Sequence, residues 1–137
     1  MLDHVSVTVS NLVSVERFYD AIFFALGIYK VGSDVDDAWI GYGHRADEFW
    51  PDRTYFSVRL GPKPEPAARR HWCFKASTRQ QVDEFWQAGL EQGGVCNRLP
   101  GLRPAYHRSY YAAFLVDPDG NQVEAVCHRV EEPGKGC

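Results

Sequence analysis

The stretch "DHVSVTVSNLVSVERFYDAIFFALG", residues 3–27, lies over "RHWCFKASTRQQVDEFWQAGLEQGG", residues 70–94, without a gap and at an offset of 67. His4 falls on His71, Ser10 on Ser77, Val15 on Val82 and Glu16 on Asp83. Phe18 falls on Phe85, Tyr19 on Trp86, Ala21 on Ala88 and Gly27 on Gly94. Agreement of this extent in so short a chain marks two copies of one supersecondary unit.

Each copy opens with period-two alternation, the mark of a half-buried strand. Val5, Val7 and Val9 alternate with His4, Ser6 and Thr8, and Trp72, Phe74 and Ala76 alternate with His71, Cys73 and Lys75. An amphipathic helix follows in each copy. Val15, Phe18, Tyr19, Ile22 and Leu26 form one stripe, and Val82, Phe85, Trp86 and Leu90 the other. Asn11 is the N-cap expected for the first helix, and Thr78 with Gln81 is a capping box for the second. Short strands bounded by turn residues then fall at about 28–33, 38–43 and 54–60, and again at about 95–98, 110–116 and 122–127. The expected fold class is therefore α+β: two pseudo-symmetric βαβββ modules, about 1–62 and 68–128, forming a curled mixed sheet around a cleft. "GPKPEPAARR" reads as the linker, and residues 129–137 as a C-terminal tail.

With 137 residues and a net charge of −3, the chain suits one domain of ordinary size and offers no basic surface for nucleic acid. No apolar run approaches the roughly 20 residues that span a bilayer. The four cysteines form no CxxC pair. With strand pattern beginning at Leu2, they read as reduced thiols in a cytoplasmic protein.

The alternation also sorts the polar residues. At the same offset Glu124 matches Ser57, so four strands carry His4, Ser57, His71 and Glu124 on the face opposite their apolar one. Two imidazoles and a carboxylate converging in a cleft make a divalent-metal site with positions left open for substrate. Candidate proton carriers are His107, Tyr110 and Tyr111 in "PAYHRSYYAAF". Arg98, Arg103 and Arg108, from the loop around that stretch, are candidates for holding an anionic group. Arg59 and Lys75 share the cleft face by parity, and Tyr42 in "GYGHRADEFW" is a further substrate-facing aromatic.

The paired units resemble the glyoxalase/bleomycin-resistance/extradiol-dioxygenase family, the vicinal oxygen chelate superfamily. The marks are "LDHVSVTVSNLVSVERFYDAIFFALGI" at 2–28 and "YYAAFLVDPDGNQVEAV" at 110–126. The resemblance implies metal ligands at His4, His71 and Glu124, with Fe, Mn, Zn or Ni as the ion. It also implies a small-molecule substrate with adjacent oxygens, and a homodimer. Ser57 stands where enzymes similar to glyoxalase I carry a glutamate, which speaks against that isomerase activity and leaves Ser57 as a substrate contact. The alternative within the same resemblance is a metal-free protein that binds a drug-like molecule.

Overall fold

Asn11 ends the first strand and begins the first helix. Its backbone is extended (φ −140°), and its side chain accepts a hydrogen bond from Ser14 N at 3.2 Å, satisfying a donor the helix leaves orphaned. The computed structural model describes residues 1–34, 36–66 and 68–131; of the expected tail, 132–137 lie outside the described residues. Its elements run β1 (His4–Val9), α1 (Leu12–Ala25), β2 (Lys30–Asp34), β3 (Trp39–Gly43) and β4 (Tyr55–Leu60). The second copy runs β5 (His71–Lys75), α2 (Arg79–Glu91), β6 (Val95–Leu102), β7 (Tyr111–Val116) and β8 (Gln122–Cys127). Both modules are βαβββ units, as expected. At α2 the capping box is displaced by one residue. Thr78 accepts from Gln81 N at 3.1 Å, but Gln81 Oε1 accepts from Ser77 N at 2.7 Å.

Each module forms one mixed four-stranded sheet, in the orders β1-β4-β3-β2 and β5-β8-β7-β6. The parallel pair lies at one edge of each, with Ser6 opposite Ser57 and Cys73 opposite Glu124. The two helices pack on each other and on the apolar faces of both sheets, giving one shared core. Val7, Val9, Phe56 and Val58 enter it from one sheet, and Ala113, Leu115, Val123 and Ala125 from the other. Phe23 of α1 reaches Phe74 of β5 with ring centres 4.9 Å apart, so the core is continuous across the modules. Gly89 permits the close approach. A Cβ there would stand 2.3 Å from Leu115 Cδ1 and 3.1 Å from Phe18 Cε2.

A polar clamp closes one end of this core. Asp117 is 2% exposed. Its Oδ1 accepts from Asp119 N at 2.8 Å and Asn121 N at 2.9 Å, and its Oδ2 from Tyr19 OH at 2.7 Å and Asn121 Nδ2 at 2.9 Å. Asp119 reaches across to the first module, accepting from Ser10 N at 2.8 Å and Ser10 Oγ at 2.6 Å. The "DPDGN" turn thus holds a helix and a strand end of the other copy. Removing a buried acceptor strands its donors at about 1–3 kcal/mol each. Asp117→Ala, which strands four donors, is therefore expected to lower the unfolding free energy by about 4 kcal/mol or more, and Asp119→Ala, which strands two, by about 2 kcal/mol or more, in denaturant titrations. Equal and negligible losses would remove the clamp from the account of stability.

Two phenols make the core alkali-sensitive. Burial first, then Asp117, pushes Tyr19 well above its ordinary value. Burial, then the hydrogen bond to Asp20, does the same to Tyr42. Because the folded values are raised, this stability is fully present below about pH 10, where an unfolded phenol ionises, and is lost above it. Phenolate absorbance of these residues is expected to rise only together with loss of circular dichroism. Complete ionisation with the fold intact would contradict it.

Candidate functional site

With both apolar faces turned into the shared core, both polar faces lie on the outside. On the second sheet, β5 and β8 bring two of the expected ligands together. His71 Nε2 is 2.8 Å from Glu124 Oε2. Glu124 is 2% exposed, and its other oxygen, Oε1, accepts from Tyr110 OH at 2.5 Å. His71 Nδ1 lies 3.2 Å from the carbonyl oxygen of Arg69. Both ring nitrogens thus face acceptor oxygens, the nearer of them the Glu124 carboxylate, and a cation at Nε2, a proton or a metal ion, would satisfy that contact.

His4 is prepared in the same way on the first sheet. Its Nδ1 is 2.6 Å from Asp3 Oδ1, which leaves Nε2 free on an exposed ring. A histidine tied through one nitrogen to a carboxylate or carbonyl, with the other bare, is the usual state of a metal-binding imidazole. The donor set therefore fits a divalent ion, but one chain does not assemble it. Among the described residues no three His, Cys, Asp or Glu side chains come close enough to hold a metal.

The remaining candidates separate by face. Ser57, 1% exposed, shares a hydrogen bond of 2.6 Å with Ser6 Oγ on the outer side of the first sheet. Arg59 and Lys75 are exposed at the ends of their strands, opposite Thr8 and Val126. Arg103 folds over the ring of Phe114, with its guanidinium carbon 5.8 Å from the ring centre. Two expectations are corrected. Tyr42 is 1% exposed inside the core and donates to Asp20 Oδ1 at 2.7 Å, because β3 turns Ile40 and Tyr42 to the helices. Tyr111 also faces the helices and donates to Asp83 Oδ1 of α2 at 2.6 Å, with burial and then this bond pushing its phenol up to about 12. Of the two adjacent tyrosines, only Tyr110 reaches Glu124.

His107 does not touch Glu124. Its Nδ1 accepts from Ser109 N at 3.1 Å, so its proton sits on Nε2, which faces His128 Nδ1 at 2.9 Å. Both rings meet Tyr110 edge-on, at 5.5 and 5.3 Å. His128 is a neighbour that sequence reading missed, although it is two pleats beyond Glu124 on the same face. Burial first, and then Glu124, pushes both Tyr110 and the Cys73 thiol upward. Tyr110 is thus a proton-bearing donor and not a base. Cys73 stays a thiol and is a poor nucleophile.

The first sheet contributes an aromatic floor. Trp39 and Tyr55 lie over Gly41, where a Cβ would stand 2.6 Å from Trp39 Cζ3 and 2.0 Å from Tyr55 OH. Arg45 covers Tyr55 at 4.8 Å and Trp39 at 5.6 Å. Among the described residues the buried Tyr55 hydroxyl has no hydrogen-bond partner. Glycines in "WIGYG" were the available signal, since they clear the space that the two rings occupy.

No protein-family model matches the chain, and no curated protein matches it. Solved structures do. A glyoxalase/bleomycin resistance protein from Albidiferax ferrireducens is 28% identical over 94% of this chain and 99% of that one, with a TM-score of 0.77. A putative glyoxalase from Bacillus halodurans is 26% identical over 93% and 95%, with a TM-score of 0.66. The fosfomycin resistance protein FosX from Mesorhizobium loti is 15% identical over 95% and 93%, with a TM-score of 0.65, a likeness of fold alone. No helix among the described residues is long and apolar enough to cross a membrane. The paired modules, their strand order and these neighbours together give the chain the fold of the vicinal oxygen chelate superfamily.

Proposed function

We propose that the chain is a small metalloenzyme of the vicinal oxygen chelate type, acting on a small molecule that offers two adjacent oxygens. The observation that carries this is the His71–Glu124 contact, in which an imidazole nitrogen and a buried carboxylate oxygen from neighbouring strands meet at 2.8 Å on the polar face of the sheet. His71 and Glu124 would hold Fe, Mn, Zn or Ni, and His4 would complete the set from a second copy of the chain. When bound, such an ion supplies a Lewis acid for charge developing on substrate oxygens.

The placement of the half-sites supports a dimer. β1 and β5 are free sheet edges, and each carries its histidine on an outward polar face. Pairing β1 of one copy with β5 of the other in a two-fold arrangement sets both half-sites against each other twice. Tyr110 keeps its proton on the phenol oxygen beside Glu124, ready to donate to a substrate oxygen. His107 and His128 position that ring. Ser57, Arg59 and Lys75 line the faces that the dimer would bring together. The reaction class left open spans isomerase, lyase, thiol-transferase and dioxygenase chemistry. The aromatic floor of Trp39 and Tyr55 favours a second reading, a metal-free site that sequesters a flat molecule, in keeping with a neighbour described as a bleomycin resistance protein.

Protein purified without a histidine tag is expected to carry near-stoichiometric metal by elemental analysis, with His71→Ala or His4→Ala removing it. Mixing the two variants and allowing subunit exchange should restore about a quarter of the sites, because each mixed dimer regains one of two. Metal absent even after reconstitution would overturn the enzyme reading. Metal that is bound but never restored by mixing would overturn the shared site.

A further inference from the structure

Strand β6 is a sheet edge broken twice, and both irregularities act on arginines. Cys96 stands opposite the core residue Leu115 and takes a hydrogen bond from Trp86 of α2 at 3.3 Å, so it faces the helices. Regular alternation would turn Arg98 to that same side. The register slips between Cys96 and Arg98, and Arg98 instead stands opposite Phe114. Phe114 is in turn the partner of Glu124. A second slip follows between Arg98 and Gly101, after which Arg103 N donates to Tyr110 O at 2.7 Å. Arg103 therefore joins the face that carries Tyr110 and Glu124.

The two guanidinium carbons end 5.6 Å (Arg98) and 5.8 Å (Arg103) from the Phe114 ring centre, and that ring lies 6.0 Å from the His71 ring. Arg103 is fixed there by donating to Leu99 O, while its buried Nε has no acceptor among the described residues. The chain has 18 acidic residues, yet among the described residues neither arginine makes an ion pair. Two like charges over one ring, held by an interrupted strand, are unfavourable until something negative joins them. Bulges beside a site commonly re-aim a side chain, and guanidinium forks match the planar oxygens of an anion.

The geometry points to an oxyanion clamp: Arg98 and Arg103 receive a negatively charged oxygen group of the substrate, a carboxylate, phosphate or phosphonate, beside His71 and Glu124. Resting on the proposed metalloenzyme reading, this makes the substrate an organic anion whose adjacent oxygens lie near its charged group. The clamp belongs to one chain, so it requires neither the ion nor the second copy.

Inorganic phosphate and phenylphosphonate are titrated calorimetrically into the full-length protein after chelation, with neutral benzyl alcohol for comparison. Both anions are expected to bind, more weakly as salt rises, while the alcohol does not. Arg98→Gln and Arg103→Gln should each weaken phosphate binding about tenfold or more, and Arg17→Gln, an exposed arginine of α1, should leave it unchanged. Thermal melts and Arg98→Lys guard against misfolding, since lysine keeps the charge and should lose less affinity than glutamine. No phosphate binding, or equal weakening by Arg17→Gln, overturns the clamp. Elemental analysis of the same protein, before chelation and after reconstitution, separates the two readings. Phosphate binding without metal overturns only the enzyme, and metal without phosphate binding overturns only the clamp.

Discussion

Everything outward in this molecule depends on the buried carboxylate of Asp117. It gathers the "DPDGN" turn around itself and takes the Tyr19 hydroxyl from the other module, while Asp119 beside it takes Ser10. With the helices packed between the sheets, these contacts leave the two modules only one way to sit. Apolar faces turn inward to a common core, and polar faces turn outward. Hydrophobic burial alone is non-directional and would tolerate sliding between the modules. A satisfied, buried hydrogen-bond network does not, because each stranded donor costs its desolvation.

That arrangement explains why a matched pair of histidines does not become a site within one chain. The repeat puts His4 and His71 at equivalent positions, but equivalent positions on outward faces of a shared core diverge. Each imidazole is nonetheless held through Nδ1, His4 by Asp3 and His71 by the Arg69 carbonyl. Different chemistry thus holds Nδ1 at both repeats and turns Nε2 to the polar face, against Glu124 in the case of His71. Orientation of this kind has no use in packing, since neither ring is buried.

The regular elements were legible in the sequence because their signals are local. Alternation in 4–9 and 71–75, the helical stripes, Asn11 and Thr78 all act within a few residues. The residues misjudged are those whose face depends on a neighbouring strand. Tyr42 lies in "WIGYG", where glycines erase the alternation that would have shown its side. Tyr110 and Tyr111 are adjacent, so one must face Glu124 and the other Asp83, and only the pairing of β7 with β8 decides which. The role of "DPDGN" is not legible locally, because its partners Tyr19 and Ser10 lie far away in the chain.

Strand β6 shows the limit most sharply. Its expected extent of 95–98 stops where Pro100 and Gly101 read as turn residues, yet the strand runs Val95–Leu102. A bulge keeps pairing alive across such residues by letting the partner advance at a different pace. Because side chains alternate, each one-residue slip exchanges the two faces of all that follows. Parity counted from Cys96 therefore assigns Arg98 to the helix side, and only the observed register moves it beside Phe114. Charge on an edge strand commonly discourages unwanted pairing, and for that purpose an outward arginine on either face would serve. What pairing defence does not explain is two slips that deliver two arginines to one ring, next to the buried Glu124. Such convergence is specified by register, a property of the pair of strands rather than of either sequence.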